Sequence, residues 1–240
     1  MNQYFQQTKT GTYSFFAAIP LIVGYECIML WTKSNVRVSA GVWLGDLVAT
    51  FTPRVHLGLG LVVLAVGICT LLYERKQKIE LKPHYFVGML VESVLWVPVF
   101  YITVGWLANK AVSLSAVSLA GTNQSSNEVL QNIGIALGAG IYEELIFRVL
   151  LVGILFRVML LIMPEKKSEC YVFTAIIGAL IFSAVHYIGP LGDDVEGKAF
   201  AYSFIFRFVG GLFLNALYLT RGFGIAAWTH AIYDIMVLTH

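Results

Sequence analysis

The apolar run from about residue 133 to residue 163 constrains the fold most strongly, because it carries charged residues. Glu143, Glu144 and Arg148 place two carboxylates and a guanidinium inside this run. An isolated charge near the centre of a bilayer costs roughly 2.5–3.5 kcal/mol on insertion scales. The three charged groups therefore predict either mutual partners or a functional site.

Helical spacing divides the two carboxylates between different tasks. Glu144 and Arg148 are four residues apart, so they share one helical face and can form an ion pair. Glu143 points about 100° away from that pair. One carboxylate is then neutralised by its own helix, and the other is left free in a low-dielectric site. A free carboxylate in such a site is a candidate general base.

The composition predicts an integral membrane protein. Of the 240 residues, 58% are hydrophobic and 12% are charged, whereas a soluble domain carries about 25% charged residues. A net charge of +2, without a basic helix or a phosphate-cradling glycine loop, gives no indication of nucleic-acid binding. The three cysteines lie far apart without metal-ligand spacing and are interpreted as apolar helix residues. The polar N-terminus does not predict a cleavable signal peptide, so the first apolar segment is expected to be retained.

The apolar segments predict an all-α transmembrane bundle of about seven spans, forming a single membrane domain over residues 1–240. The predicted spans are 13–31, 57–73, 85–107, 129–163, 171–188, 200–219 and 223–238. The fourth would be about 50 Å long as a helix, against a hydrocarbon core of roughly 30 Å, so it must tilt, break or project. Residues 41–47 are expected to lie in the membrane interface, and residues 108–128 to form a linker. Lysine and arginine are more abundant in the N-terminus and the loops after spans two, four and six, which favours a cytoplasmic N-terminus.

Three of the predicted spans carry ionisable residues well inside apolar sequence. The fourth carries Glu143, the fifth carries His186, and the last carries His230 and Asp234, which share a helical face. We predict that these four side chains face one another across the bundle, in the half of the bilayer near the loops after spans three and five. Such intramembrane groups mark functional sites.

These residue types suit peptide hydrolysis without a covalent intermediate. A carboxylate and an imidazole that share one water molecule can activate it for attack on a carbonyl group. A second histidine and a carboxyl group on a neighbouring helix can polarise that carbonyl and stabilise the oxyanion.

Three motifs in this order resemble the CPBP family of intramembrane glutamic proteases, also described as Abi proteases. The motifs are Glu143-Glu144-x-x-x-Arg148, Phe182-x-x-x-His186 and His230-x-x-x-Asp234. The family comprises CAAX prenyl proteases of the Rce-one type and bacterial relatives. The resemblance covers residues 129–238 as the catalytic core, whereas the first 128 residues carry no matching motif.

The resemblance implies a role for each matching residue. Glu143 is expected to be the catalytic glutamate that activates water, with His186 as its partner. Glu144 corresponds to the carboxylate held by Arg148, and His230 and Asp234 correspond to the oxyanion-side pair. The implied protein is a multi-pass protease of the bacterial inner membrane that needs no cofactor. Its expected partners are the lipid bilayer and a membrane-associated protein or peptide substrate.

One residue departs from the pattern of the prenyl-protein proteases. Asp234 stands where those enzymes usually have asparagine. An ionised aspartate accepts hydrogen bonds but cannot donate one to an oxyanion, so its expected task is to orient His230. The difference bears on the CAAX substrate more than on the protease class.

Two alternatives to this mechanism remain open at the level of sequence. Glutamate and two histidines are also zinc ligands, so a zinc-dependent membrane protease is one alternative. A non-catalytic transport or immunity protein that uses the same groups as helix contacts is the other. Arg207, on the sixth span, is expected to form a structural pair with Glu92, Glu26 or Asp234.

Overall fold

A computed structural model describes residues 3–32, 55–77, 79–112, 125–188 and 192–239, with side chains of the third helix from residue 60. The described residues form helices and no strand. The helices are α1 Gln3–Thr8, α2 Gly11–Thr32, α3 Val55–Glu74, α4 Pro83–Val112, α5 Ser126–Ile162, α6 Lys167–Val185, α7 Gly197–Arg221 and α8 Phe223–Leu238. The expected interfacial segment 41–47 lies outside the described residues.

Each of the seven predicted spans corresponds to a helix, and the all-α multi-pass architecture is confirmed. Helices α2, α4, α5, α6 and α7 are long and apolar enough to cross a membrane. The portion of α3 from Gly60 to Glu74, and α8, are shorter apolar helices. The short helix α1 was not predicted. The predicted linker 108–128 is too long at both ends, because α4 extends to Val112 and α5 begins at Ser126.

Helix α5 is continuous over 37 residues and carries the site residues near its middle. It begins at a capping box, in which the Glu128 backbone N–H donates to Ser125 Oγ and the Ser125 N–H donates to the Glu128 carboxylate. The helix does not break. Instead it contains two π-helical stretches, Ala139–Glu143 and Leu145–Val152. Such wider turns often accompany functional sites, and here they lie on either side of Glu144.

Helix α8 occupies the centre of the bundle, where it packs against α2, α4, α5 and α7. Small residues allow its close approach to α5. A Cβ atom at Gly140 would lie 2.6 Å from the carbonyl oxygen of Ala227 and 2.7 Å from Cβ of Ala231. The two backbones are therefore nearly in contact at this level, as small residues permit in membrane bundles. This contact brings His230 of α8 within reach of α5.

A buried ionic cluster lies at the end of the bundle where α7 terminates. Arg221 donates to both carboxylate oxygens of Glu92, and Tyr4 OH donates to the same carboxylate at 2.8 Å. Arg221 Nη2 also donates to Thr8 Oγ1 at 3.0 Å. The cluster attaches α1 to the bundle, so Glu92 has a structural role here.

Candidate active site

Glu144 and Arg148 form the ion pair that their spacing predicts. Both side chains are completely buried, and Arg148 Nε lies 3.1 Å from Glu144 Oε2. The guanidinium also lies over the ring of Phe182, with Cζ 4.4 Å from the ring centroid. Arg148 thus sits between its own helix and α6, and it neutralises the carboxylate that points away from the cavity.

His186 presents an unprotonated nitrogen to Glu143 when the imidazole is neutral. It follows the last residue of α6, and its Nδ1 lies 2.7 Å from the carbonyl oxygen of Phe182. Because a carbonyl oxygen only accepts, Nδ1–H is the donor and Nε2 carries a lone pair. Nε2 lies 3.9 Å from Glu143 Oε2. This separation is too long for a direct hydrogen bond but suits one water molecule that donates to both acceptors.

His230 is surrounded by three carboxylates. Its Nδ1 lies 2.7 Å from Glu144 Oε1, and its Nε2 lies 3.4 Å from Asp234 Oδ2 and 4.0 Å from Glu143 Oε2. Because Glu144 is held by Arg148 as a carboxylate, Nδ1–H of His230 must be the donor in the short contact. The sequence indicated the Asp234 contact through its spacing, but no sequence signal indicated the contact with Glu144.

One cavity brings the four predicted site residues together. It has a volume of about 420 Å³ and includes Glu143, His186, His230 and Asp234 in its wall. This volume lies within the range of roughly 300–1,000 Å³ that is usual for ligand sites. The rest of the wall is largely aromatic and aliphatic, including Phe100, Tyr101, Phe182, Tyr202, Phe206, Leu214, Tyr233 and Val237. The site lies toward the end of the bundle where α6 ends and α7 begins, which is the end that carries the loop after the fifth predicted span.

Arg207 also lines this cavity, and its predicted partners were wrong. It pairs with Asp193, a residue of the α6–α7 loop, and its Nη1 donates to Tyr187 OH at 2.9 Å and Ser203 Oγ at 2.6 Å. The Asp193 backbone N–H donates to the His186 carbonyl oxygen at 2.8 Å. Asp193 therefore lies beside His186. Its position could not be predicted from helical spacing, because Asp193 lies outside any helix.

No group of three or more His, Cys, Asp or Glu side chains in the described part of the chain is arranged to hold a metal ion. In the Glu143 and histidine set, the carboxylate oxygen is 3.9 Å from one Nε2 and 4.0 Å from the other. Ligands of one zinc ion at roughly 2.0–2.2 Å in tetrahedral geometry lie closer together than this, so these side chains would have to move inward.

Fold and site together define a multi-pass membrane protein with acids and imidazoles converging on one cavity between the helices. A family model described as Type II CAAX prenyl endopeptidase Rce1-like matches residues 125–236, a range that contains all three motifs. Residues 125–236 thus match the Rce1-like family of CPBP proteases, and this match supports a membrane endopeptidase acting on a peptide or protein substrate in the membrane. No curated protein matches the chain, and no solved structure does.

Proposed function

We propose that the chain is a glutamic-type intramembrane endopeptidase in which Glu143 and His186 activate a water molecule. The observation that supports this mechanism best is the 3.9 Å separation of Glu143 Oε2 and His186 Nε2 in the wall of a shared cavity. Both atoms accept hydrogen bonds, so a water molecule between them donates both of its protons and keeps a lone pair for attack.

The first step forms a bond between the water oxygen and the carbonyl carbon of the substrate peptide. As that bond forms, one water proton passes to the Glu143 carboxylate, and the carbonyl π electrons move to the oxygen to give an oxyanion. His186 accepts a hydrogen bond from the remaining O–H and keeps the nucleophile aligned. General-base assistance of this kind contributes roughly 10²–10⁴-fold to the rate.

His230 and Asp234 are proposed to act on the oxyanion side. Because Nδ1–H donates to Glu144, His230 can donate from Nε2 only as an imidazolium. The positive charge of the imidazolium then stabilises the oxyanion directly. Asp234 lies 3.4 Å from the same Nε2 and holds the ring toward the cavity. An aspartate can therefore stand where the prenyl-protein proteases usually have asparagine, because its proposed task here is to orient a cationic donor.

Collapse of the tetrahedral intermediate completes the reaction. The oxyanion electrons re-form the carbonyl, the peptide C–N bond breaks, and the proton held by Glu143 passes to the departing nitrogen. The products are a carboxylic acid and an amine, and Glu143 returns to the carboxylate form. The proposed substrate is a membrane-associated peptide, with CAAX-like prenylated peptides as one class, because the cavity wall is mostly apolar.

The test uses the purified full-length chain in lipid, with prenylated and unprenylated membrane peptides as substrates. We expect Glu143→Gln and His186→Ala each to reduce cleavage by at least about 10²-fold. Glu165→Gln is the matched control, because Glu165 is an exposed acid after the end of α5. Full cleavage activity in both site variants would refute the mechanism. A non-catalytic immunity protein, by contrast, would keep its function without Glu143.

A zinc-dependent reaction, with Glu143, His186 and His230 moved inward as ligands, is the alternative that these residue types suggest. Cleavage that persists after exhaustive chelation, in protein free of metal by elemental analysis, decides against it. Loss of cleavage on chelation, restored by zinc alone, decides against the metal-free mechanism.

We also propose that the protein resides in the bacterial inner membrane with its N-terminus in the cytoplasm. The basic loops at the Lys9 end of the bundle support this orientation. The cavity would then lie toward the extracytoplasmic side. Reporter fusions after α4 and after α7 test it, since the two must report opposite compartments and the α7 fusion must be cytoplasmic.

A further inference from the structure

A second cavity lies at the other end of the bundle, on another face of α5. Its volume is about 400 Å³. Leu145 and Val149 of α5 line it, whereas Glu143 of the same helix lines the first cavity. Lys9 and Gly11 at the start of α2, and Gly222 at the end of α7, complete its far end. It is therefore separate from the candidate active site, although one helix borders both.

The walls of this second cavity are mainly apolar, and α3, which forms one of them, contacts few other described helices. Phe15, Val63, Val66, Leu219 and Phe223 line it together with the two α5 residues. Among the described helices, α3 makes substantial contact only with α2. The cavity lies between residues of α3 on one side and residues of α5 and α6 on the other, a gap that suits an inserted hydrocarbon chain.

The polar end of the cavity contains groups without partners. Lys9 forms no ion pair with any described residue, and it is the one cation among the residues that line the cavity. The hydroxyl of Ser14 is buried and makes no hydrogen bond within the described structure. The Lys9 backbone and the Ser14 hydroxyl lie against Gly222, where a Cβ atom would come within 2.9 Å of the Lys9 carbonyl oxygen and 3.2 Å of Ser14 Oγ.

The nearby acid does not neutralise Lys9. Glu74 accepts hydrogen bonds from the backbone N–H groups of Gly11 and Thr12, at 3.0 and 2.8 Å, and from the Thr12 hydroxyl. Its charge is therefore directed at the start of α2. This leaves a cation and an unsatisfied hydroxyl at the mouth of an apolar cleft.

We infer that this cavity binds one anionic glycerophospholipid. An acyl chain lies between α3 and α5, and the phosphate meets Lys9 and the Ser14 hydroxyl. Charge complementarity favours an anionic head group, since each Lys near a membrane surface attracts anionic lipid by about 1 kcal/mol. The Lys9 end is also the more basic end of the protein, with Arg75 and Lys76 after α3, Lys166 before α6 and Lys167 at the start of α6. The bound chain packs against Leu145 and Val149, immediately beside Glu144 and Arg148.

The test measures lipid retention and needs no protease assay. The purified full-length chain is equilibrated with equimolar phosphatidylglycerol and phosphatidylcholine, and retained lipids are counted by native mass spectrometry. We expect one retained phosphatidylglycerol. We expect Lys9→Gln to lower the preference for it about five-fold, the factor equivalent to 1 kcal/mol.

Three further variants make the result specific. Lys9→Arg should restore the preference. Lys82→Gln, which removes a cation that lies at the same end and pairs with Glu80 at 3.3 Å, should leave it unchanged. Val66→Phe should expel both lipids by filling the cleft, and thermal unfolding checks that this variant is folded. Equal retention of the two lipids by the wild type, or equal loss of preference in Lys9→Gln and Lys82→Gln, overturns the inference.

Discussion

Replacing Arg148 by alanine tests how the helix carrying the site neutralises its own charge. The side chains of Arg148 and Glu144 are fully buried, and their nearest atoms are 3.1 Å apart. Removing one partner of a buried ion pair typically costs about 3–5 kcal/mol, because an uncompensated charge stays buried. The contact of the guanidinium with the Phe182 ring is lost as well.

Two features of the structure bound this value. Glu144 keeps its hydrogen bond from His230 in the variant, so it is not stranded completely. None of the guanidinium nitrogens of Arg148 has a hydrogen-bond partner within the described structure, so the variant loses the charge interaction but no hydrogen bond. We therefore expect the lower part of the range, about 3 kcal/mol, which is more than a hundred-fold in the folding equilibrium.

The assay is equilibrium unfolding of the purified protein in mixed micelles, followed by helical circular dichroism. Arg157→Ala is the matched control, because Arg157 is an exposed arginine of the same helix and its loss should change the unfolding free energy by less than about 0.5 kcal/mol. If Arg148→Ala unfolds with the same free energy as Arg157→Ala, the buried pair is not a stabilising element and the reasoning is refuted.

Three other predictions concern packing, chemistry and metal. Gly140→Ala should destabilise the protein and reduce cleavage, because its Cβ would collide with the Ala227 carbonyl at 2.6 Å, whereas Gly153→Ala meets nothing within 4 Å and should be neutral in thermal unfolding. Asp234→Asn should keep cleavage within about ten-fold while Asp234→Ala loses roughly 10²–10³-fold, because an amide can still hold or assist the oxyanion side; equal losses in kinetic assays would contradict this. Exhaustive chelation should leave the cleavage rate unchanged, and a rate that falls and returns with zinc would contradict the metal-free mechanism.

Much of this protein was predictable from local patterns. Hydropathy predicted the helices, because a span must be apolar over a length set by the bilayer. The spacing of Glu144 and Arg148, and of His230 and Asp234, predicted both same-helix pairs, because residues four apart always share a face. The family match also follows from short motifs read in order along the chain.

Contacts between helices were decided only by the tertiary structure. The Nδ1 contact of His230 with Glu144, the pairing of Arg207 with Asp193 and the second cavity have no counterpart in any local spacing. Such contacts depend on the rotation and depth at which two helices pack. Here the close approach of α5 to α8 at Gly140 sets both the rotation and the depth. Two backbones can meet only where a glycine lies opposite small residues, and this leaves a narrow range of positions.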